Sequence, residues 1–168
     1  MPDRADDRKK IRDFIERAHT ALLVTVGEDG QLDSRPMGCL QTNFQDTLWF
    51  LTFRDAPKVK EIARDDRVLV SFAKPSDYEY VSLAGHAKLV EDKAKLKELW
   101  FEGLRVWFPN GPGDPNLAIL AVQVDEAKYW TNAASVVTYA WAYVRAALTH
   151  KGPSPGEIGD IKSVRLRH

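Results

Sequence analysis

The sequence has a single cysteine, Cys39, among 168 residues. No intramolecular disulfide can form, which excludes a small disulfide scaffold. Net charge is also missing: Lys and Arg number 24, and so do Asp and Glu. The chain therefore lacks the basic footprint expected of a nucleic-acid-binding domain or of a protein held at an anionic membrane. No apolar run approaches the ~20 residues of a spanning helix. The opening MPDRADDRKK has no signal-peptide pattern, and together with the lone cysteine this points to the cytoplasm. There is no G-x-G-x-x-G, Walker loop, H-E-x-x-H or C-x-x-C. The four histidines are scattered at 19, 86, 150 and 168, so no metal site is expected.

Aromatics are plentiful, and five tryptophans suit a well-filled core or a planar ligand. Ile11, Phe14, Ile15 and Ala18 recur at helical spacing, so residues 7–19 read as an amphipathic helix with Asp6 or Asp7 as its cap. Thr20 to Val26 reads as a strand, and the Asp29-Gly30 turn returns it as a second strand from Gln31 to Gln41. Leu48 to Phe53 is almost continuously apolar, which predicts a strand covered on both faces. A short helix with Pro57 in its first turn runs to Arg64. Strands follow at Val68 to Ala73 and Tyr78 to Val90, with Gly85 marking a bulge or bend. Residues 92–104 read as a helix. Leu117 to Val124 reads as a strand, and Ala127 to Trp130 continues it or starts a short partner.

Ser135 to Leu148 reads as a helix apolar nearly all round, hence buried, part of it by a second subunit. Residues 151–168, rich in Pro and Gly, read as a flexible tail on a single domain spanning 1–150. Few helices and many tight turns predict a mainly β fold, an antiparallel barrel with flanking helices.

The stretch from Gln31 to Lys58 carries the chemistry. Pro36 removes a ladder donor inside a strand, so that strand belongs at an edge or a bulge. Beside it, Arg35 is a fork-shaped cation suited to phosphate oxygens. Lys58 falls at the start of a helix, the end where the macrodipole disfavours a cation. An anion bound at that helix start accounts for Lys58; the plainer alternative is a solvated lysine and an exposed arginine. Cys39 reads as a small buried residue, and His86 as a hydrogen-bonded sheet residue.

RPM in one strand, LWFLT in the next, PKVKEI opening a helix and then YEYVSLAGHAKLVED together resemble the pyridoxamine 5′-phosphate oxidase-like superfamily. Within it, the chain is similar to the general stress protein branch of FMN-binding split barrels, over about residues 8–149. The resemblance implies a split barrel, a homodimer, and one FMN at each side of the subunit interface. It implies that Arg35 and Lys58 reach the FMN phosphate, that the backbone at Met37 runs along the flavin ring, and that Leu51 and Thr52 contact the flavin and its ribityl-phosphate arm. Tyr80 stands where the oxidases carry a glutamine from the other subunit, and Trp130 falls near a tryptophan beside the flavin. Pro57 replaces the arginine of an Arg-Lys pair, and the oxidases' C-terminal substrate pattern is not matched, so pyridoxamine phosphate oxidation does not follow. Three readings stay open: an FMN-dependent oxidoreductase of unnamed substrate and electron donor, a flavin carrier without turnover, and a haem-binding relative with His86 as the axial ligand.

Overall fold

The structure is a computed structural model and describes residues 4–40, 44–131 and 160–165. In chain order the elements are α1 (Arg4–Ala18), β1 (Thr20–Val26), β2 (Leu32–Gly38), β3 (Thr47–Phe53), α2 (Pro57–Arg64), β4 (Arg67–Lys74), β5 (Glu79–Val90), α3 (Lys93–Leu99), β6 (Leu117–Thr131) and β7 (Asp160–Arg165). Every strand pair is antiparallel. The sheet runs β2-β1-β4-β5-β6-β3, and β7 also pairs with β6. Its end strands β2 and β3 approach where the Leu40 N–H donates to the Trp49 carbonyl at 3.0 Å. The result is a mainly antiparallel half-barrel with flanking helices. Pro36 lies in β2, an end strand of this order, where a missing ladder donor costs nothing.

Strand alternation sorts the core into two clusters. The inner one gathers Leu23, Phe50, Val70, Leu83, Val122 and Val124, and α1 lays Ile11, Phe14 and Ile15 into it. The outer one is built on Leu51, Leu117 and Ile119, with Leu96 of α3 and Leu104. β3 and the first part of β6 sit between the two, so Leu48, Phe50, Leu51 and Thr52 are all buried. That is why LWFLT reads as one apolar run.

Three expectations are corrected. α1 begins at Arg4, so Asp6 and Asp7 lie in its first turn rather than capping it. There Asp7 is buried and accepts a hydrogen bond from the Tyr129 hydroxyl at 2.8 Å, tying the helix to β6. The helix expected over 92–104 stops at Leu99, because Trp100 and Phe101 are extended; a 3₁₀ turn over Glu102–Val106 then returns Leu104 to the outer cluster. The flexible tail expected from 151 contains β7, which pairs with β6 along Glu126–Thr131. β3 covers β6 only from Leu117 to Gln123, so the remainder of that long strand has backbone groups still to satisfy, and β7 takes them. The helix expected from Ser135 to Leu148 lies outside the described residues.

Gly85 sits at a bulge. Ala84 pairs with Glu126 and Gly85 with Val124, leaving Asp125 as the extra residue. A Cβ at Gly85 would lie 2.0 Å from the Gln123 carbonyl oxygen. Gly85→Ala is expected to lower stability by about 1–3 kcal/mol, the usual cost of overpacking, read as a lower urea midpoint. A second expectation concerns β7: ending the chain after residue 159 should lower the thermal midpoint and speed amide exchange over Glu126–Thr131, whereas a dispensable tail would change neither.

Candidate functional site

β2 directs Asp33, Arg35 and Met37 to one side, opposite Thr25, Leu23 and Ala21 of β1. Those three β1 residues are all buried, so this is the inner face of the half-barrel. Arg35 is therefore a mostly covered cation, 19% exposed at its side chain. Its Nη1 donates to the Thr25 hydroxyl at 2.5 Å, and its Nη2 donates to Asp33 at 2.7 Å and Glu61 at 3.1 Å. The Thr25 hydroxyl in turn donates to the same Glu61 oxygen at 2.5 Å. A partly buried guanidinium needs such compensation, and the chain supplies it from two carboxylates.

Glu61 comes from α2, three residues after Lys58. Ala56 at the helix start provides no side-chain cap, and Pro57 has no N–H to offer. β3 ends at Phe53, and the Ala56 N–H closes the turn onto the Phe53 carbonyl at 3.1 Å, so the buried Thr52 precedes the helix by a single turn. Among the described residues, its hydroxyl makes one long contact, 3.4 Å to the Phe53 carbonyl. Burial first, and then the Arg35 charge, push the Lys58 ammonium below its usual range, while Glu61 pulls the other way. Lys58 and Arg35 are thus close enough to repel, at the end of the helix that already disfavours cations.

Five of the seven expected site residues belong to this region of β2, β3 and α2, though not all through their side chains. Met37 is in the inner core. Leu51 and Thr52 alternate, so they face opposite ways: Thr52 points to the inner face with Phe50, and Leu51 points into the outer cluster beside Leu96. Any role of Leu51 at the Lys58 end falls to its backbone. Tyr80 and Trp130 are elsewhere. They pair with each other across β5 and β6 and line a cavity of about 330 Å³ with Lys10, Phe14 and Arg17 of α1. The row through Arg35 crosses Leu23, Val70 and Leu83, whereas Tyr80 lies further along β5, toward the 3₁₀ turn at Pro75–Asp77.

Thr25, Asp33 and Glu61 were not anticipated from sequence. Thr25 left a signal, as the polar residue among the inward positions Ala21, Leu23 and Thr25 of TALLVTV. Glu61 left a weaker one, its spacing from Lys58 on one helix face.

The Cys39 thiol is buried and pushed up to about 12 by desolvation, which makes it an unreactive core group. His86 sits between two carboxylates, with Nδ1 at 2.9 Å from Asp66 and Nε2 at 3.3 Å from Asp125. Among the described residues, no group of His, Cys, Asp and Glu is placed to hold a metal ion, and no helix is long and apolar enough to cross a membrane.

The family model for "Pyridoxamine 5′-phosphate oxidase like" proteins matches residues 6–154. The chain belongs to this family. It is 30% identical over 129 residues to general stress protein 26 of Bacillus subtilis (strain 168), covering 73% of this chain and 87% of that protein. Among solved structures, general stress protein 26 of Bacillus anthracis str. Sterne superimposes with a TM-score of 0.66 at 27% identity, over 73% of this chain and 92% of that one. The general stress FMN/FAD binding protein of the phytopathogen Xanthomonas citri gives 0.68 at 27% identity, over 79% and 93%. The half-barrel is the split barrel of this family.

The strain on Lys58 has a measurable sign. Its ammonium titrates below the ordinary 10.5, so holding it protonated costs stability at neutral pH, and that cost fades as pH rises from its lowered value to 10.5. Lys58→Met should therefore stabilise the ligand-free protein at pH 7 by less than about 1 kcal/mol given solvent screening, read as a slightly higher thermal midpoint. The advantage should shrink as pH approaches 10. A variant that melts lower at pH 7 would show that the ammonium is favourably held.

Proposed function

We propose that this chain is a flavin-binding stress protein whose cofactor is FMN. The observation that carries the reading is a mostly covered Arg35 held at 3.1 Å by Glu61, three residues after the partly covered Lys58 at an uncapped helix start, with the two cations unfavourable to one another. A phosphate with nearly two negative charges relieves that repulsion, and the helix start favours it. The residues fit such a group unevenly. Three of the five N–H donors of Arg35 go to Thr25, Asp33 and Glu61, so Lys58 would be the principal phosphate cation, with the Thr52 hydroxyl at the end of β3 as a further donor. The Met37 side chain is buried in the inner core, so the contribution of Met37 to a flat ring would be its backbone. FMN, once bound, supplies the redox chemistry, and the protein holds and orients it. The relatives support this reading, since one is described as FMN/FAD binding and two as general stress protein 26. The haem alternative is disfavoured, because both ring nitrogens of His86 are occupied by carboxylates.

The test is the colour of the purified protein, followed by titration with FMN and riboflavin. Lys58→Ala should weaken FMN roughly 10- to 100-fold, the worth of a charged hydrogen bond, and leave riboflavin unchanged. Equal losses for both flavins would remove Lys58 from the phosphate site. A protein that takes up neither flavin would overturn the reading.

We infer also that the working unit is a homodimer with its flavin sites at the subunit interface. Within one chain Tyr80 and Trp130 face a cavity that includes none of Arg35, Met37, Leu51, Thr52 or Lys58. If all seven residues serve one flavin, Tyr80 and Trp130 reach it from a second copy. Dimer and FMN should then stabilise one another by linkage. Sedimentation at decreasing concentration, with and without FMN, should show the flavin holding the dimer together. A monomer with full FMN affinity would rule out the shared site.

A further inference from the structure

Resting on the flavin reading above, we propose that Glu61 is the built-in counter-anion of the phosphate end and sets how strongly the site favours a dianion. Its Oε2 accepts both the Thr25 hydroxyl at 2.5 Å and Arg35 Nη2 at 3.1 Å. That is the kind of contact a phosphate oxygen makes with a guanidinium, supplied here by the protein itself. Asp33 adds a second carboxylate on the same nitrogen at 2.7 Å. Arg35 is thus paired with both carboxylates and Lys58 feels Glu61, so part of the positive charge, though not all of it, is offset before any ligand arrives. The two carboxylates are not equal. The Asp33 side chain is 64% exposed and Glu61 only 16%, so water and salt screen Asp33 while the Glu61 charge acts nearly undiminished. Lys58 and Glu61 share α2, three residues apart, so the helix that presents the cation also presents the charge that tempers it.

The sign of the effect separates this role from that of a brace. Glu61→Gln keeps a carbonyl oxygen for Thr25 and Arg35 and removes only the charge. If Glu61 tempers the site, FMN should bind Glu61→Gln more tightly. If Glu61 merely holds Arg35 in place, FMN should bind no better, or worse. Riboflavin has no phosphate and serves as the control, so the quantity to compare is the ratio of the riboflavin to the FMN dissociation constant, measured by fluorescence quenching.

That ratio should rise roughly 3- to 10-fold in Glu61→Gln. It should stay near the wild-type value in Glu61→Asp, which retains the charge, and rise about 2-fold in Asp33→Asn at low salt only, because that exposed charge is screened by salt. Should Glu61→Gln fold poorly, Asp33→Asn at low and high salt still decides: a gain present at low salt and lost at high salt supports charge balance, and its absence at low salt overturns it. A fall in the ratio for Glu61→Gln, or equal shifts for both flavins, also overturns the proposal while leaving FMN binding intact. Wild-type protein that binds neither flavin sinks the flavin reading and this inference with it.

Discussion

β6 imposes the constraint on which the rest of the structure depends. It is buried from Leu117 to Val122 and offers both of its edges along its length. A strand so placed must have its backbone groups paired and its two faces covered. β5 takes one edge, and β3 and then β7 take the other. The inner and outer clusters take the faces. The position of the helix start follows from this. β3 is locked in register on β6 up to Phe53, and the turn from Phe53 to Ala56 leaves Lys58 little freedom over where it emerges. Lys58, the cation proposed for the phosphate, is thus positioned by an apolar strand pair, and rigid elements of this kind hold a side chain more closely than a free loop does.

The second constraint is electrostatic. A guanidinium that is four-fifths covered cannot stand uncompensated, and the compensation comes from three separate elements: Thr25 of β1, Asp33 of β2 itself and Glu61 of α2. Arg35 therefore does two things at once. It fastens α2 onto the β1–β2 edge of the sheet, and it puts a positive charge near Lys58. Fastening and the proposed phosphate binding would draw on the same N–H donors, so an arginine that serves the fold this fully has fewer left for an anion. Lys58, with a compact ammonium on a flexible stem, is the group that can turn toward an anion.

Much of this was legible in the sequence, because the fold is written in local patterns. The period of α1, the Asp29-Gly30 turn, the two-faced LWFLT run, Pro57 at a helix start and the bulge at Gly85 each signal their own structure within a few residues. What was not legible depends on partners distant in the chain. Asp7 looks like a helix cap until Tyr129 is seen to reach it. Residues 160–165 look like tail because nothing nearby shows that β6 has an edge left to fill. Glu61 looks like a solvated helix carboxylate until β2 brings Arg35 beside it. Trp100 shares a helical spacing with Leu96 and Leu104, yet it and Phe101 are extended, and a 3₁₀ turn then brings Leu104 to the outer cluster.

The alternation within β3 carries the last step. Thr52 and Leu51 are neighbours in sequence but belong to opposite faces, one on the inner face with Phe50 and the other toward α3. A strand that presents a polar group to a site on one side while anchoring a hydrophobic cluster on the other couples the two. Leu51, Leu117 and Ile119 grip α3 and the 3₁₀ turn, and that grip keeps β3 from slipping. A one-residue slip would exchange the two faces, putting Thr52 in the outer cluster and Leu51 on the inner face. The outer cluster thus contributes to the site without touching it, by making the register of β3 costly to change.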